Sequence, residues 1–324
     1  MRKLKTAVIG VGYLGNYHAE KLKQLPQSEL VAVCDVDIEK CSQVAQTYGV
    51  DAIIDYRSLI GMIDAVCIAA PTALHYEIAL FFLTHGVHVL VEKPITRTTQ
   101  EADELIKTAK KHGGVLQVGH LERFNKAIKA VEPSIVNPRF IESLRLAPFK
   151  LRGTDVNVVL DLMIHDIDII QSIVKSDLKN IAANGASVLS SCIDIANARL
   201  EFNNGCVANV TASRVSLKIE RKLRIFQSDS YIGMDLDKKK ISIHRKGKQE
   251  MFPGIPEIIH EEKAFEQTDA LRDQIESFLN CIIQHKKPIV SGEDGKRALA
   301  IAIQITDIVQ HSNEPYPIHE WVEA

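Results

Sequence analysis

The apolar segment VVLDLMIHDIDIIQSIV, residues 158–174, carries polar residues whose spacing could support acid-base chemistry. Asp161 and His165 are four residues apart, and His165 and Asp168 are three apart, so a helix would place all three on one face. His165 titrates near neutrality and could take a hydroxyl proton, while Asp161 could orient it or hold a substrate. Because buried charges are costly unless paired, this face is a candidate site. The structural alternative is that Asp168 simply pairs with His165.

A second candidate lies at the end of the apolar run VHVLVEKP, which contains Glu92, Lys93 and Pro94. If this run is a parallel strand, these residues lie at its carboxyl end, where doubly wound folds bind ligands. A lysine there could polarise a carbonyl or hydroxyl oxygen and exchange a proton with it. The alternative is an ordinary solvated loop lysine.

The N-terminal stretch LKTAVIGVGYLGNYHAEKL indicates a buried strand, a glycine turn and a helix. Gly10, Gly12 and Gly15 have the G-x-G-x-x-G spacing, in which the first glycine permits the tight turn and the second lets backbone approach a pyrophosphate. The third lets the helix pack closely on the strand. The helix N-terminus offers unpaired amides to phosphates, so we predict a dinucleotide site.

Asp35 indicates which dinucleotide is bound. It ends the second apolar run, ELVAVCD, about 20 residues after the last glycine, where a carboxylate accepts hydrogen bonds from the adenosine ribose. Val36 and Asp37 follow, with no arginine to neutralise a 2′-phosphate, so the sequence favours NAD over NADP. The alternative is a turn residue at the strand end.

The elements that must position these residues follow two patterns. Up to about Gly119, the runs AVIG, LVAVCD, AVCIAA, VHVLVE and VLQVG alternate with helical segments, which is typical of a doubly wound parallel sheet. Beyond about residue 135, longer half-polar strands such as CVANVTASR and KISIHR predict an α+β domain with a large open antiparallel sheet, and two helical patterns close the chain. We therefore predict an α/β protein with a Rossmann NAD-binding domain over 1–120 and a substrate-binding and oligomerisation domain over 121–324.

Composition excludes several classes of protein. The 324 residues carry a formal charge of -2, which creates no global field for nucleic acid or for an anionic membrane, and no apolar run is long enough to span a bilayer. Small molecules or other subunits are the expected partners. No C-x-x-C pair occurs, and we expect buried thiols in a reducing cytoplasm, with no disulfide and no metal site. The six cysteines are Cys34, Cys41, Cys67, Cys192, Cys206 and Cys281.

Five segments together resemble the Gfo/Idh/MocA oxidoreductases: GVGYLG, PTALH, VEKP, VGHLERFN and DLMIHDID, in matching order and spacing along most of the chain. The resemblance implies hydride transfer at a sugar or polyol carbon, with Lys93 beside the nicotinamide and with Asp161 and His165 as catalytic or substrate groups. It further implies association as a homodimer or homotetramer through the C-terminal sheet. The expected cofactor contacts are Gly10, Gly12, Tyr13, Leu14, Gly15, Asp35, Pro71, Thr72, His75, Glu92 and Lys93, and Arg123 and Asn125 should border the substrate. His75 and His120 have the alternative of being hydrogen-bonded loop residues.

Within the family, the run RLAPFKLRGTDVNVVLDLMIHDID looks most like members that oxidise the 3-hydroxyl of UDP-N-acetylglucosamine-type sugars. The expected diphosphate contacts are Arg123, Arg145 and Arg152, with Lys150 nearby, because a diphosphate needs cationic donors that a neutral sugar does not. An ordinary solvated surface is the alternative for this basic set. Two other functions stay open: a free-sugar or inositol dehydrogenase, and a non-catalytic NAD-responsive regulatory protein. The presence of both Lys93 and His165 favours an enzyme over the regulator.

Overall fold

The computed structural model describes residues 3–150, 156–266 and 269–312. The chain divides into two compact units. The first comprises the chain up to Ala130 together with Phe265–Ala300, and the second runs from Val131 to Ala264 and continues from Ile301. The first unit therefore contains a C-terminal segment that the predicted division at residue 120 assigns to the other domain.

The first unit is built on a six-stranded parallel sheet with the order β3-β2-β1-β4-β5-β6. Its apolar runs form the central strands because both faces of a parallel sheet are covered. The strands are β1 (Leu4–Ile9), β2 (Ser28–Cys34), β3 (Asp51–Ile53), β4 (Ala65–Ile68), β5 (His88–Glu92) and β6 (Leu116–Gly119). This is the predicted doubly wound sheet, with β3 as an additional short strand.

Helices connect these strands, and local signals fix their ends. They are α1 (Tyr13–Gln24), α2 (Ile38–Tyr48), α3 (Thr72–Thr84), α4 (Thr99–His112) and α5 (Lys126–Val131), with 3-10 turns at Tyr56–Leu59 and Leu121–Phe124. Thr98 and Glu101 form a capping box at the start of α4, and Gly113 ends that helix at a φ of 68°. Gly86, just after α3, also has a positive φ, which glycine adopts readily at a helix end.

The second unit contains an eight-stranded sheet with the order β14-β13-β12-β11-β7-β10-β9-β8. All neighbouring pairs are antiparallel except β7 with β10. The strands are β7 (Phe140–Leu146), β8 (Leu178–Ala186), β9 (Ile195–Phe202), β10 (Val207–Ser213), β11 (Glu220–Phe226), β12 (Ser230–Asp235), β13 (Lys240–Phe252) and β14 (Ile255–Ala264). The predicted large antiparallel sheet is confirmed, including the alternation in β10, where Ala208, Val210 and Ala212 are fully buried.

One helix of the second unit carries the predicted acid-base segment. A π-helical turn, Val159–Met163, leads directly into α6 (Ile164–Val174), and a 3-10 turn, Glu132–Ser134, precedes β7.

The face of the eight-stranded sheet opposite its buried face bears a row of aromatic rings. The row crosses five neighbouring strands, with centroid separations of 4.4 to 5.7 Å. This aromatic row consists of Phe140, Phe226, Tyr231, His244 and His260.

The chain returns to the first unit through α7 (Ala270–Gln284) and the first part of α8 (Gly292–Ser312). The apolar stripe of α7 joins the same core cluster as Val8 and Leu90 of the parallel sheet, with Leu271 packed at its edge. The stripe residues buried there are Ile275, Phe278, Leu279 and Ile282. Lys21 of α1 pairs with Asp269, which caps α7, at 2.9 Å. The two closing helices were predicted, but their position in the first unit was not.

The six cysteines are unpaired, as predicted. Five are buried, whereas Cys192 is half-buried, so the prediction that all six are buried is wrong for that residue. Among the residues that the structure describes, no helix is both long enough and apolar enough to cross a membrane.

Candidate functional site

The glycine turn between β1 and α1 is closed on one side and open on the other. Gly10 has a φ of +82°, and a Cβ on it would lie 2.7 Å from the backbone nitrogen of Ala70. A Cβ on Gly15 would lie 1.7 Å from the carbonyl oxygen of Gly10, so only glycine fits where the helix crosses the turn. Around Gly12, by contrast, no described atom lies within 4 Å of an added Cβ. The start of α1 is therefore an open cradle that suits a pyrophosphate.

Asp35 lies beside this cradle at the end of β2. Its Oδ2 accepts a hydrogen bond from the backbone N–H of Val11 at 2.8 Å, and its Oδ1 accepts one from Asp37 N–H at 3.0 Å. The Asp37 carboxylate caps α2 by accepting from Lys40 N–H at 3.1 Å. Both carboxylates are thus fixed by backbone donors. Asp35 joins the glycine turn to the strand end where the ribose of a dinucleotide binds in this fold.

The other predicted cofactor contacts occupy the beginnings of α1 and α3. Tyr13 and Leu14 are exposed on the first turn of α1, and Tyr13 packs edge-on against Tyr17 at 5.2 Å. Pro71 is exposed immediately before α3, and Thr72 is the first residue of that helix. These positions lie at the carboxyl ends of β1 and β4, which are neighbours in the sheet.

His75 is buried and connects two loops of the first unit. Its Nε2 lies 2.8 Å from the carbonyl oxygen of Ala70, and its Nδ1 lies 2.9 Å from the carbonyl oxygen of Pro94. Burial lowers the pKa of His75, outweighing the two carbonyl contacts that favour its protonated form. A neutral ring donates to one carbonyl at a time. The geometry therefore matches the structural, hydrogen-bonded role that was the alternative to a cofactor contact, although His75 lies in α3 and not in a loop.

Glu92 ends β5 and Lys93 follows it, at the same edge of the sheet. Glu92 Oε1 lies 2.8 Å from Nε2 of His18, a fully buried residue of α1, and Glu92 Oε2 accepts the backbone N–H of Lys93 at 3.3 Å. Burial raises the pKa of Glu92, but the His18 hydrogen bond and the charge of Lys93 together lower it below its usual range. Glu92 is therefore an ionised, fixed carboxylate next to Lys93, which is half-buried.

Arg123 and Asn125 lie in and just after the 3-10 turn that follows β6. The Arg123 guanidinium donates to the carbonyl oxygen of Ile289 at 3.3 Å. Asn125 donates to Glu122 Oε2 at 3.3 Å and accepts from Ala127 N–H at 3.0 Å, so its side chain caps α5. His120 is buried at the start of this turn.

In the second unit, Asp161 lies in the π-helical turn and His165 in the first turn of α6. Both side chains are half-buried, whereas Asp168, one turn further along, is 2% exposed. The predicted polar face is thus open at its N-terminal end and covered at its C-terminal end. A single π-helical turn inside a helix often marks a functional site, and sequence periodicity cannot indicate one.

Arg145 does not have the solvent-facing position that diphosphate binding requires. Only 4% of it is exposed, and its guanidinium forms a two-pronged ion pair with Asp166 at 2.6 and 3.2 Å. Because breaking such a buried pair is strongly unfavourable, this geometry argues against the predicted diphosphate contact. Lys150 is exposed, and Arg152 lies outside the described residues.

Comparisons with known proteins agree with these two units. Residues 4–120 match the GFO/IDH/MocA oxidoreductase family with an NAD-binding Rossmann fold, and residues 147–232 match the GFO/IDH/MocA C-terminal domain. The UDP-N-acetylglucosamine 3-dehydrogenase of Acidithiobacillus ferrooxidans is 38% identical over 96% of this chain and 98% of its own. The chain belongs to the Gfo/Idh/MocA family.

Structures and other members support the same assignment. A crystal structure of the Acidithiobacillus enzyme superposes with a TM-score of 0.89, covering 96% of this chain and 99% of the other at 36% identity. The scyllo-inositol 2-dehydrogenase (NAD(+)) of Bacillus subtilis is 26% identical over 94% of each chain. The chain is thus an oxidoreductase-family protein with an NAD-binding Rossmann fold.

Two buried polar residues, His18 and Asp194, were not among the predicted site residues. His18 stands three residues after Gly15 in an otherwise apolar helix face, and that isolated polar residue was the only available signal. Asp194 is fully buried and accepts the backbone N–H groups of Val188, Leu189 and Ser190, besides the Ser190 hydroxyl at 2.6 Å. Burial raises the pKa of Asp194, but these donors lower it to about 2. Its charged partner, Arg214, lies at 3.4 Å.

Proposed function

We propose that this protein oxidises the 3-hydroxyl of a UDP-N-acetylglucosamine-type nucleotide sugar to a ketone, with NAD as the hydride acceptor. The observation that carries the proposal is the 38% identity, over nearly the whole length of both chains, to a protein named for that reaction. Three inositol dehydrogenases that align over more than nine-tenths of this chain are less similar, at 24 to 26% identity.

The cofactor preference is argued from Asp35. Its carboxylate is held at the end of β2 by Val11 N–H and Asp37 N–H, where it can accept the ribose hydroxyls of NAD. A 2′-phosphate at that place would meet the carboxylates of Asp35 and Asp37, and like charges at close range are unfavourable. NAD is therefore preferred to NADP.

The roles of the protein groups follow from the balance of the reaction. NAD, when bound, would supply the acceptor for the hydride that leaves the sugar carbon. The hydroxyl proton passes to the imidazole of His165, and Asp161 orients that group or the sugar. The ammonium of Lys93 hydrogen-bonds the sugar oxygen as its bond to carbon gains double-bond character. The N-terminus of α1 at Gly12 would hold the pyrophosphate of NAD.

The diphosphate of the substrate needs cationic donors, and the burial of Arg145 removes one of the three predicted. Arg123, which is half-buried, and the exposed Lys150 are the described candidates. Arg152 stays a prediction. Contacts between such groups and a diphosphate weaken with added salt where the site is open to solvent.

An NAD reduction assay tests the function directly. UDP-N-acetylglucosamine, free N-acetylglucosamine, glucose and myo-inositol are compared by NADH absorbance, and only the nucleotide sugar should give strong turnover. Turnover of a free sugar or polyol alone would favour a free-sugar or inositol dehydrogenase, and inositol dehydrogenases occur among the more distant relatives. Binding of NAD without turnover of any alcohol would favour a regulatory protein.

Two variants test the residue roles. Lys93→Ala should abolish most turnover with little change in NAD affinity, and His165→Ala should lower kcat by roughly a hundredfold or more, the usual scale for a positioned proton-transfer group. The exposed residues Lys111 and His112 of α4 provide matched alanine controls. Wild-type turnover in either test variant would refute that residue's role, provided that circular dichroism shows a folded protein.

We also propose self-association through the second sheet. The aromatic row is partly exposed on that sheet's face, with Tyr231 at its centre, and such an apolar patch favours an interface. Sedimentation velocity should find a dimer or tetramer of the wild-type protein. Tyr231→Lys should lower the mass of this assembly. A monomeric wild-type protein at micromolar concentration would contradict the proposal.

A further inference from the structure

His18 is a polar residue in the interior of the first unit. It is fully buried on α1, next to the apolar residues Ala19 and Leu22 of the same helix. Its Nε2 lies 2.8 Å from Oε1 of Glu92 across the β5 end of the sheet. A buried polar pair often stabilises a fold less than an apolar contact of the same size would. We therefore expect a role of this pair other than stability.

The geometry also defines the protonation state of the ring. Within the described residues, Nδ1 of His18 has no hydrogen-bond partner. A doubly protonated ring would bury an unsatisfied N–H there, which is unfavourable. The neutral ring with its hydrogen on Nε2 leaves only an acceptor atom unused. In that form Nε2 donates to the Glu92 carboxylate.

Glu92 is confined on its other side as well. A Cβ added to Gly119 of the neighbouring strand β6 would lie 2.8 Å from Cδ and Oε2 of Glu92. Oε2 in turn accepts the backbone N–H of Lys93 at 3.3 Å. The carboxylate is therefore held between α1 and β6, with one oxygen toward His18 and the other on the Lys93 backbone.

We propose that His18 is a positioning residue for Lys93: by fixing the Glu92 carboxylate against the Lys93 backbone, it sets the place and the charge environment of the catalytic ammonium. This inference rests on the proposed role of Lys93. It assigns to α1 a second task besides cofactor binding, since the helix that presents the glycine cradle also carries the group that orders the reacting end of the site.

The charges around Glu92 determine the pH response. The titratable groups that face it are His18 from α1, Cys67 from β4, His75 from α3 and Lys93 from its own strand end. The His18 hydrogen bond lowers the pKa of Glu92 against the effect of burial. Removing the donor takes away the largest contribution that opposes burial, so the pKa of Glu92 rises and the carboxylate protonates at a higher pH.

The principal test compares His18→Leu with His18→Gln. Leucine removes the donor, whereas the glutamine amide can still donate to Glu92. We expect His18→Leu to lower kcat by at least tenfold, leave the Kd of NAD within about threefold, and move the acidic limb of kcat/KM to higher pH. His18→Gln should restore most of kcat and the wild-type pH profile. A folded His18→Leu variant with the wild-type profile, or a glutamine variant as impaired as the leucine one, would overturn the proposal.

Gly119→Ala provides an independent perturbation that leaves His18 intact. The added methyl must displace the Glu92 carboxylate, because its position lies 2.8 Å from Cδ. We expect the acidic limb of kcat/KM to move to higher pH, as in His18→Leu. The Gly119→Ala variant also keeps the test valid if His18→Leu does not fold. A folded Gly119→Ala variant with an unchanged acidic limb counts against the proposal.

A readout without cofactor or substrate separates this inference from the proposed function. The carboxyl carbon of Glu92 is followed by nuclear magnetic resonance as pH is lowered, in wild-type protein and in His18→Gln and His18→Leu. A higher midpoint only in His18→Leu supports the pairing, and equal midpoints in all three refute it. If the pairing holds but no sugar or polyol reduces NAD, the proposed function fails while the His18 linkage to Glu92 stands.

Discussion

The open and closed sides of the glycine turn lead to opposite effects of the same substitution. A methyl group on Gly12 meets no described atom within 4 Å, whereas one on Gly15 would lie 1.7 Å from a backbone oxygen. Gly12→Ala should therefore change the free energy of unfolding by less than about 1 kcal/mol, as glycine to alanine changes do where the backbone allows them. Gly15→Ala should cost at least about 1–3 kcal/mol, the usual penalty of overpacking, because the contacted atom is backbone.

For NAD binding, the larger effect is expected from Gly12→Ala. The Gly12 methyl occupies the space through which the pyrophosphate approaches the first amides of α1. Losing one hydrogen bond to a charged group costs about 1.5–3 kcal/mol, which raises the Kd of NAD roughly 10- to 150-fold. Calorimetric titration with NAD and urea unfolding together measure both effects.

The two glycines serve as controls for each other. Wild-type NAD affinity in Gly12→Ala would refute the position of the pyrophosphate at the start of α1. Unchanged stability in Gly15→Ala would refute the tight crossing of helix and strand. A loss of stability in Gly12→Ala would mean that the cradle is not open.

Two further results are expected. Asp35→Ser should weaken NAD binding and reduce the preference for NAD over NADP, because it removes both the ribose acceptor and one negative charge. Titration of both dinucleotides measures this preference, and a variant that keeps the wild-type preference would contradict the prediction. His88 accepts the Val115 N–H on Nδ1 at 2.9 Å, and burial lowers the pKa of His88. The unfolded chain therefore binds the proton first, so the free energy of unfolding should fall as pH drops below about 6.5. His88→Asn keeps an acceptor without titrating, and urea unfolding from pH 7.5 to 5.5 should show a smaller loss than in wild type; an equal loss would exclude His88 as a source.

The sequence predicted those features that local chemistry determines. Continuous apolar runs indicated five of the six parallel strands, since strands buried on both faces need no polar positions. Gly10 and Gly15 are identifiable because their places tolerate no side chain. The short strand β3, only three residues long, carries no such signal because its residues are mostly exposed.

What the sequence could not predict depends on partners distant in the chain. In the sequence, Arg145 looks like a surface cation, because its buried partner, Asp166, lies 21 residues later. His18 and Glu92 are 74 residues apart, so no local pattern joins them. The π-helical turn at Asp161 depends on hydrogen bonding that side-chain periodicity does not report.

The return of the chain to the first unit affects the order in which the protein can fold during synthesis. The core around Val8 and Leu90 includes Ile275, Phe278 and Leu279, which leave the ribosome long after residue 130. At typical translation rates the interval is on the order of ten seconds. The nascent parallel sheet lacks that part of its covering throughout this time. Synthesis of the dinucleotide-binding unit thus begins first, but the unit is not complete until the whole second sheet has been made, and a chain cut after its first 130 residues would lack part of that unit's own interior.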